Sequence, residues 1–137
     1  MIKIQESSIN VNELIKNVRN VESGAIVTFL GTVRKHDESS DREIEALRYD
    51  AYNDMAVKKI EEIINETKKM YNIMDVCVIQ RVGLIKLKGD TIGIAVSSVH
   101  RKEAFKACEY IIDKIKVIPP IWKKEVYSDS EVWKSET

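Results

Sequence analysis

Apolar positions recur along this chain with two different periods, and the switches between them mark out its elements. Ile2 and Ile4 alternate with polar residues, as in a short strand. Val11, Leu14, Ile15 and Val18 fall at the spacing of one helix face, and Asn10 or Ser8 can cap that helix. Ser23-Gly24 turns the chain into Ala25–Val33, rich in β-branched and aromatic residues, which predicts the strongest strand. Residues 35–43 hold no apolar side chain and predict a mobile surface loop. Ile44–Asp50 predicts another strand. A helix follows over 54–71, with Ala56, Ile60, Ile63, Ile64 and Tyr71 on its buried side and no role beyond packing.

Asp75–Val82 and Thr91–Val99 predict two strands, with Lys88-Gly89-Asp90 turning the chain between them. A last helix over 102–117 buries Ala104, Ala107, Cys108, Ile111, Ile112 and Ile115, and Pro119-Pro120 forbids its continuation. Ile121–Tyr127 reads as a strand, and Ser128-Asp-Ser turns towards Val132-Trp133. Trp122 and Trp133 are expected in the core. The order β-α-β-β-α-β-β-α-β, without repeat, linker or low-complexity segment, predicts one α+β domain over residues 1–137. Its sheet is expected to be mixed and largely antiparallel.

Composition narrows the class. The chain is 44% hydrophobic and 32% charged, as in soluble globular proteins. No apolar run approaches the roughly 20 residues of a membrane span. The start, Met-Ile-Lys-Ile-Gln-Glu, lacks the apolar core of a signal peptide, so a cytoplasmic location is expected. Cys77 and Cys108 stand alone among apolar residues and read as buried thiols. With two His and two unclustered Cys there is no zinc ligand set, and no metal is expected. A pI near 6.7 argues against a dedicated nucleic-acid binder.

The net charge is zero, but it is segregated. Residues 97–125 carry seven cations and four anions, a surplus of 7 − 4 = +3, whereas 37–66 carry four bases and ten acids, or 4 − 10 = −6. This bias points to a local anion site. Lys116 ends the last helix and Lys123 begins the next strand; a reversal at Pro119-Pro120 can bring both amines into one pocket. Two ammonium groups held close disfavour each other's charge, so one can become a neutral nucleophile or base. The competing reading is two solvated surface lysines. His100-Arg101 lies where a strand passes into a helix, a place that favours anions, and the guanidinium suits phosphate. The alternative is a histidine that merely satisfies a backbone carbonyl. Arg34 closes the strand Phe29–Arg34, in which Gly31 lets a ligand or another backbone approach. These residues outline a pocket of Arg34, His100, Arg101, Lys116 and Lys123 for a small phosphorylated or otherwise anionic molecule. The pocket belongs either to an enzyme or to a non-catalytic binding module.

At these same residues the chain resembles the large, catalytic subunit of molybdopterin synthase, the MoaE family. The motifs, in order, are Gly24-Ala-Ile-Val-Thr-Phe-Leu-Gly-Thr-Val-Arg34, Leu47-Arg-Tyr-Asp-Ala-Tyr-Asn-Asp-Met-Ala56, Arg81-Val-Gly and Lys88-Gly-Asp90. Ser98-Val-His-Arg-Lys-Glu-Ala-Phe105, Asp113-Lys-Ile-Lys116 and Pro120-Ile-Trp-Lys-Lys-Glu125 complete the series. The resemblance implies an α/β hammerhead fold. It also implies a homodimer with a small ubiquitin-like sulfur carrier (MoaD-like, ending in Gly-Gly) at each end, making a heterotetramer. The implied reaction passes two sulfurs from the carrier's C-terminal thiocarboxylate to cyclic pyranopterin monophosphate, forming the molybdopterin dithiolene, with no cofactor. The implied catalytic residues are Lys116 and Lys123. The implied substrate-binding residues are Thr32, Val33, Arg34, His100, Arg101, Lys124 and Glu125. Departures from the family pattern are Gln80, where many relatives have His, Thr32, where some have Lys, and Ser128-Asp-Ser in place of an Asp-Gly turn.

Overall fold

The structure is a computed structural model that describes residues 1–37 and 41–134; the middle of the loop expected over 35–43 lies outside the described residues. The first half comprises β1 (Ile2–Gln5), α1 (Val11–Lys16), β2 (Ala25–Thr32), β3 (Ala46–Ala51) and α2 (Asn53–Met70). The second comprises β4 (Val76–Arg81), β5 (Gly83–Lys86), β6 (Asp90–Ser98), α3 (Arg101–Ile115), β7 (Ile121–Val126) and β8 (Glu131–Lys134).

Among the described residues the strands form two four-stranded sheets, ordered β1-β4-β6-β2 and β5-β3-β7-β8. Every strand pair is antiparallel except β1 with β4. The α+β class and the largely antiparallel character match expectation, but one sheet was expected and two are found. Two of the eight strands were not anticipated. Only Val82 separates β4 from β5, and Gly83, at φ 88°, turns the chain there with little change in apolar pattern. β8 is four residues long and largely exposed, which blurs its periodicity.

The first sheet is covered on both faces, so β6 is buried from Thr91 to Ser98. On one face Val76, Val78, Ile92, Ile94 and Val96 pack against Ile60, Ile63 and Ile64 of α2 and the apolar stripe of α3. On the other, Cys77, Ile79 and Ala95 pack against Leu14 and Val18 of α1. That short helix is capped by Asn10, whose side chain accepts from the Glu13 N–H at 3.2 Å. Both cysteines are free and buried, and burial pushes the Cys108 thiol up to about 11.

The second sheet has a smaller cluster on its inner face: Val33, Ile44, Leu47, Ile85 and Tyr127. Its outer face is where the tryptophans depart from expectation. Alternation along β7 turns Ile121, Lys123 and Glu125 inward, so Trp122 faces out and is 49% exposed; Trp133 is 58% exposed. Neither is a core residue.

Candidate active site

The site forms where the first sheet's α2/α3 face meets the inner face of the second. Three local features place its side chains. β2 ends in an irregularity between Gly31 and Thr32. A Cβ at Gly31 would lie 2.9 Å from Thr91 Oγ1 and 3.0 Å from Ile92 Cγ2, so glycine lets β2 close on β6 there without displacing those side chains. Beyond Thr32, Val33 turns into the second core and its N–H donates to the Gly89 carbonyl at 3.1 Å, which leaves Arg34 on the pocket side.

The second feature is the end of α3. Its final turn closes at Lys116, whose N–H donates to the Ile112 carbonyl at 3.1 Å. The third is the return of the chain through Pro119-Pro120 into β7, whose register opposite β3 pairs Lys123 with Tyr49. The reversal brings Lys116 and Lys123 to one cavity of about 540 Å³. Thr32, Arg34 and Glu125 line it too. Phe29, Leu30, Ile92, Ile112 and Ile115 give it an apolar inner wall.

Of the nine expected site residues, five therefore line the cavity: Thr32, Arg34, Lys116, Lys123 and Glu125. Val33 lies beneath it, 5% exposed in the second core. Lys124 does not reach it. The alternation that turns Lys123 inward turns Lys124 out, where its ammonium stands 4.3 Å from the Trp133 ring centroid.

His100 and Arg101 are also elsewhere. His100 is the residue before the first turn of α3, and Lys116 the residue after its last. Fifteen helical residues separate them, a span of about 22 Å. The sheet register agrees: Ser98 pairs with Ala25 at one end of β2, whereas the cavity lies at the Thr32–Asp90 end. The single pocket drawn through Arg34, His100, Arg101, Lys116 and Lys123 is thus not formed within one chain. His100 is exposed and makes no side-chain capping bond to α3.

The cavity also contains residues that pattern reading passed over. Asp37, from the segment read as a plain surface loop, has a side chain only 10% exposed. Tyr127 places its hydroxyl 2.5 Å from Glu125 Oε1 and 3.1 Å from Asp37 Oδ2. Lys134 Nζ approaches the same two oxygens at 3.4 and 3.5 Å. The Arg42 guanidinium lies over the Tyr127 ring, 3.8 Å from its centroid. Burial first, then the hydrogen bonds to Glu125 and Asp37, hold the Tyr127 hydroxyl well above the ordinary tyrosine range. It therefore stays a proton donor. The polar signal available in sequence was the lack of apolar residues over 35–43, and it says nothing about which member folds inward.

Among the described residues, charge on the lining sums to four cations (Arg34, Lys116, Lys123, Lys134) less two carboxylates (Asp37, Glu125), or 4 − 2 = +2. A cationic rim over an apolar wall suits a ligand with one anionic end and one flat, uncharged end. Two amines from different elements add proton-transfer and charge-neutralising capacity.

The sequence and the fold are similar to those of known proteins. The profile of the family described as MoaE protein matches residues 4–118. A protein of Thermoplasma volcanium named molybdopterin synthase catalytic subunit is 49% identical over 125 residues, covering 91% of this chain and 90% of its own. The crystal structure of molybdopterin synthase from Staphylococcus aureus superposes with a TM-score of 0.90 at 36% identity, covering 96% of this chain and 94% of that one. A chain from a complex of subunits 1 and 2 of the molybdopterin-converting factor of Helicobacter pylori shares the fold, with a TM-score of 0.76 at 22% identity over 98% of this chain and 90% of that one.

Proposed function

The chain belongs to the MoaE family, and on that premise we propose that it acts as the catalytic subunit of a molybdopterin synthase. In this reading it directs the transfer of two sulfurs from the thiocarboxylated C-terminus of a small ubiquitin-like carrier to cyclic pyranopterin monophosphate, making the dithiolene of molybdopterin. The observation that carries the reading is the convergence of Lys116 and Lys123 on one cavity with Arg34. A docking surface for a tail needs positive charge, but it does not need two amines from separate elements facing one space.

The thiocarboxylate sulfur is itself the nucleophile, so the protein's work is to bind, orient and move protons. Arg34 binds the phosphate end, as a guanidinium fork suits. Lys116 acts as general acid and base beside the thiocarboxylate. Lys123 stabilises developing negative charge and sets the electrostatics felt by Lys116. Glu125, held by Tyr127 and Lys134, fixes the wall between them. Lys124 is given no substrate contact. His100 and Arg101 can bind the same substrate only from a second copy of the chain, and the homodimer that the family implies supplies one.

The carrier is proposed to thread its Gly-Gly tail along the Ile121–Trp133 segment, where small residues pass and larger ones clash. A heterotetramer, two catalytic subunits with a carrier on each, follows from that docking and the homodimer. No described helix is long and apolar enough to cross a membrane. A cytoplasmic location for the reaction is part of the proposal.

The test is reconstitution with thiocarboxylated carrier and cyclic pyranopterin monophosphate, with dithiolene product as the readout. Wild type makes product, and Lys116→Ala loses about 10²–10⁴-fold in turnover while still binding carrier. A carrier shortened by its two glycines docks and delivers no sulfur. Carrier binding without product would leave a non-catalytic docking module, and equal turnover by Lys116→Ala would remove that lysine from the chemistry.

A further inference from the structure

Gln80 breaks the pattern of its strand. Along β4, Val76 and Val78 share its face and belong to the main core, and Gln80, 3% exposed, continues that face to the cavity wall. A carboxamide buried so deeply has to satisfy two donors and one oxygen. The donors are accounted for. Nε2 donates to the Arg81 carbonyl at 2.9 Å and to the Thr91 carbonyl at 3.1 Å. Both partners accept only, so turning the amide round would set three oxygens against one another. The orientation is therefore fixed.

Oε1 is left with its acceptor capacity unused, since no donor among the described residues reaches it. It is not sealed in the core either: among the described residues, no fully buried side-chain nitrogen or oxygen lacks a partner. An unpartnered oxygen on a pocket-lining residue that is not sealed off opens onto the cavity. Gln80 stands opposite Ile92 in the sheet, and both line the cavity.

We infer that Gln80 Oε1 is a specificity-determining acceptor that takes an N–H from the uncharged ring of the ligand, while the cations hold its anionic end. The inference rests on the synthase reading, in which that ring is a reduced pterin with N–H donors along its edges. A neutral acceptor suits the place. It selects for a donor without adding a third carboxylate to compete with the phosphate for Arg34 and the lysines.

The experiment measures binding of two probes, cyclic pyranopterin monophosphate and inorganic phosphate, to the wild-type chain and to Gln80→Met. Methionine keeps the length of the side chain and removes the whole carboxamide, Oε1 together with the Nε2 donor to Arg81 and Thr91, so inorganic phosphate serves as the control for any general disturbance of the cavity wall. A neutral hydrogen bond is worth about three- to tenfold in affinity, so the variant should bind the pterin about three- to tenfold more weakly and inorganic phosphate equally well. A Gln80→Met chain that does not fold is replaced by ring-deaza pterin phosphates on the wild type. There one analogue, with C–H in place of N–H, should show the same loss. Equal pterin affinity in wild type and variant, or parallel loss of both probes, overturns the inference and leaves the synthase reading standing. A full set of deaza analogues that bind like the parent does the same. Absence of pterin binding by the wild type overturns both.

Discussion

Replacing Tyr127 by Phe isolates one hydroxyl. The ring stays, and so does the Arg42 guanidinium stacked 3.8 Å over it. What goes is the donor that stands 2.5 Å from Glu125 Oε1 and 3.1 Å from Asp37 Oδ2. One hydroxyl proton serves one carboxylate at a time, so the loss is a single charge-assisted bond, about 1.5–3 kcal/mol. Glu125 is 6% exposed and keeps Lys134 at 3.4 Å, too long to replace a 2.5 Å bond. For 137 residues the unfolding entropy is about 0.29 kcal/mol/K, so the melting point should fall by about 5–10 °C at neutral pH. Thermal and urea unfolding followed by circular dichroism measure it. The pH dependence supplies an independent check. The folded-state pKa of Tyr127 is raised above the ordinary 10.0, so the folded chain holds this proton more tightly than the unfolded one. The stability it contributes is complete below pH 10 and is lost as pH rises through the folded value. Wild type should therefore lose more stability above pH 10 than Tyr127→Phe, and the two curves should converge. An unchanged melting point at neutral pH, or curves that stay parallel into base, would refute the buried carboxylate–tyrosine network.

Three further outcomes follow from the same geometry. Lys123→Ala should lower dithiolene formation by about 10²-fold or more, whereas Lys124→Ala, on the opposite face of β7, should stay close to wild type in the reconstituted assay. Gly31→Ala should cost about 1–3 kcal/mol in urea unfolding and weaken ligand binding, because the added Cβ meets Thr91 Oγ1 at 2.9 Å and Ile92 Cγ2 at 3.0 Å at the cavity wall. Cys108, buried with its thiol pushed up to about 11, should resist alkylation in the native chain at neutral pH and react once urea unfolds it, as quantified by mass spectrometry.

The helices were legible because one-sided burial writes itself into sequence. The stripe of α3 is buried at all six predicted positions, and α2 buries Ala56, Ile60, Ile63 and Ile64 as its spacing requires; Tyr71, expected on the same stripe, falls just past the last turn and is only partly buried. The two-sheet division left no comparable trace. A strand reports which of its faces is apolar, not which sheet it joins, and β3 and β7 read the same whether they extend the first sheet or found a second. Trp122 shows the same limit. Its chemistry argues for burial, but its parity is set by Lys123 and Glu125, which the cavity claims for the inner face.

Charge is where sequence and structure part most instructively. The +3 surplus over residues 97–125 pointed to an anion site, and a cationic cavity exists; yet the surplus is not the cavity's charge. Arg101 stands at the far end of α3 and Lys124 on the outer face of the second sheet. Among the described residues, the cavity's +2 is assembled from Arg34 after β2, Lys116 after α3, Lys123 in β7 and Lys134 in β8, less Asp37 and Glu125. Asp37 comes from the window that reads as strongly acidic, and Lys134 lies outside both windows. Summing along the chain finds that charge is uneven; only the reversals at Pro119-Pro120 and at the end of β2 decide which charges share one space. The same reversals explain why Lys116 and Lys123 meet while His100, only sixteen residues before Lys116, does not join them. Chain distance along a helix converts to spatial distance at about 1.5 Å per residue, and across a proline turn it hardly converts at all.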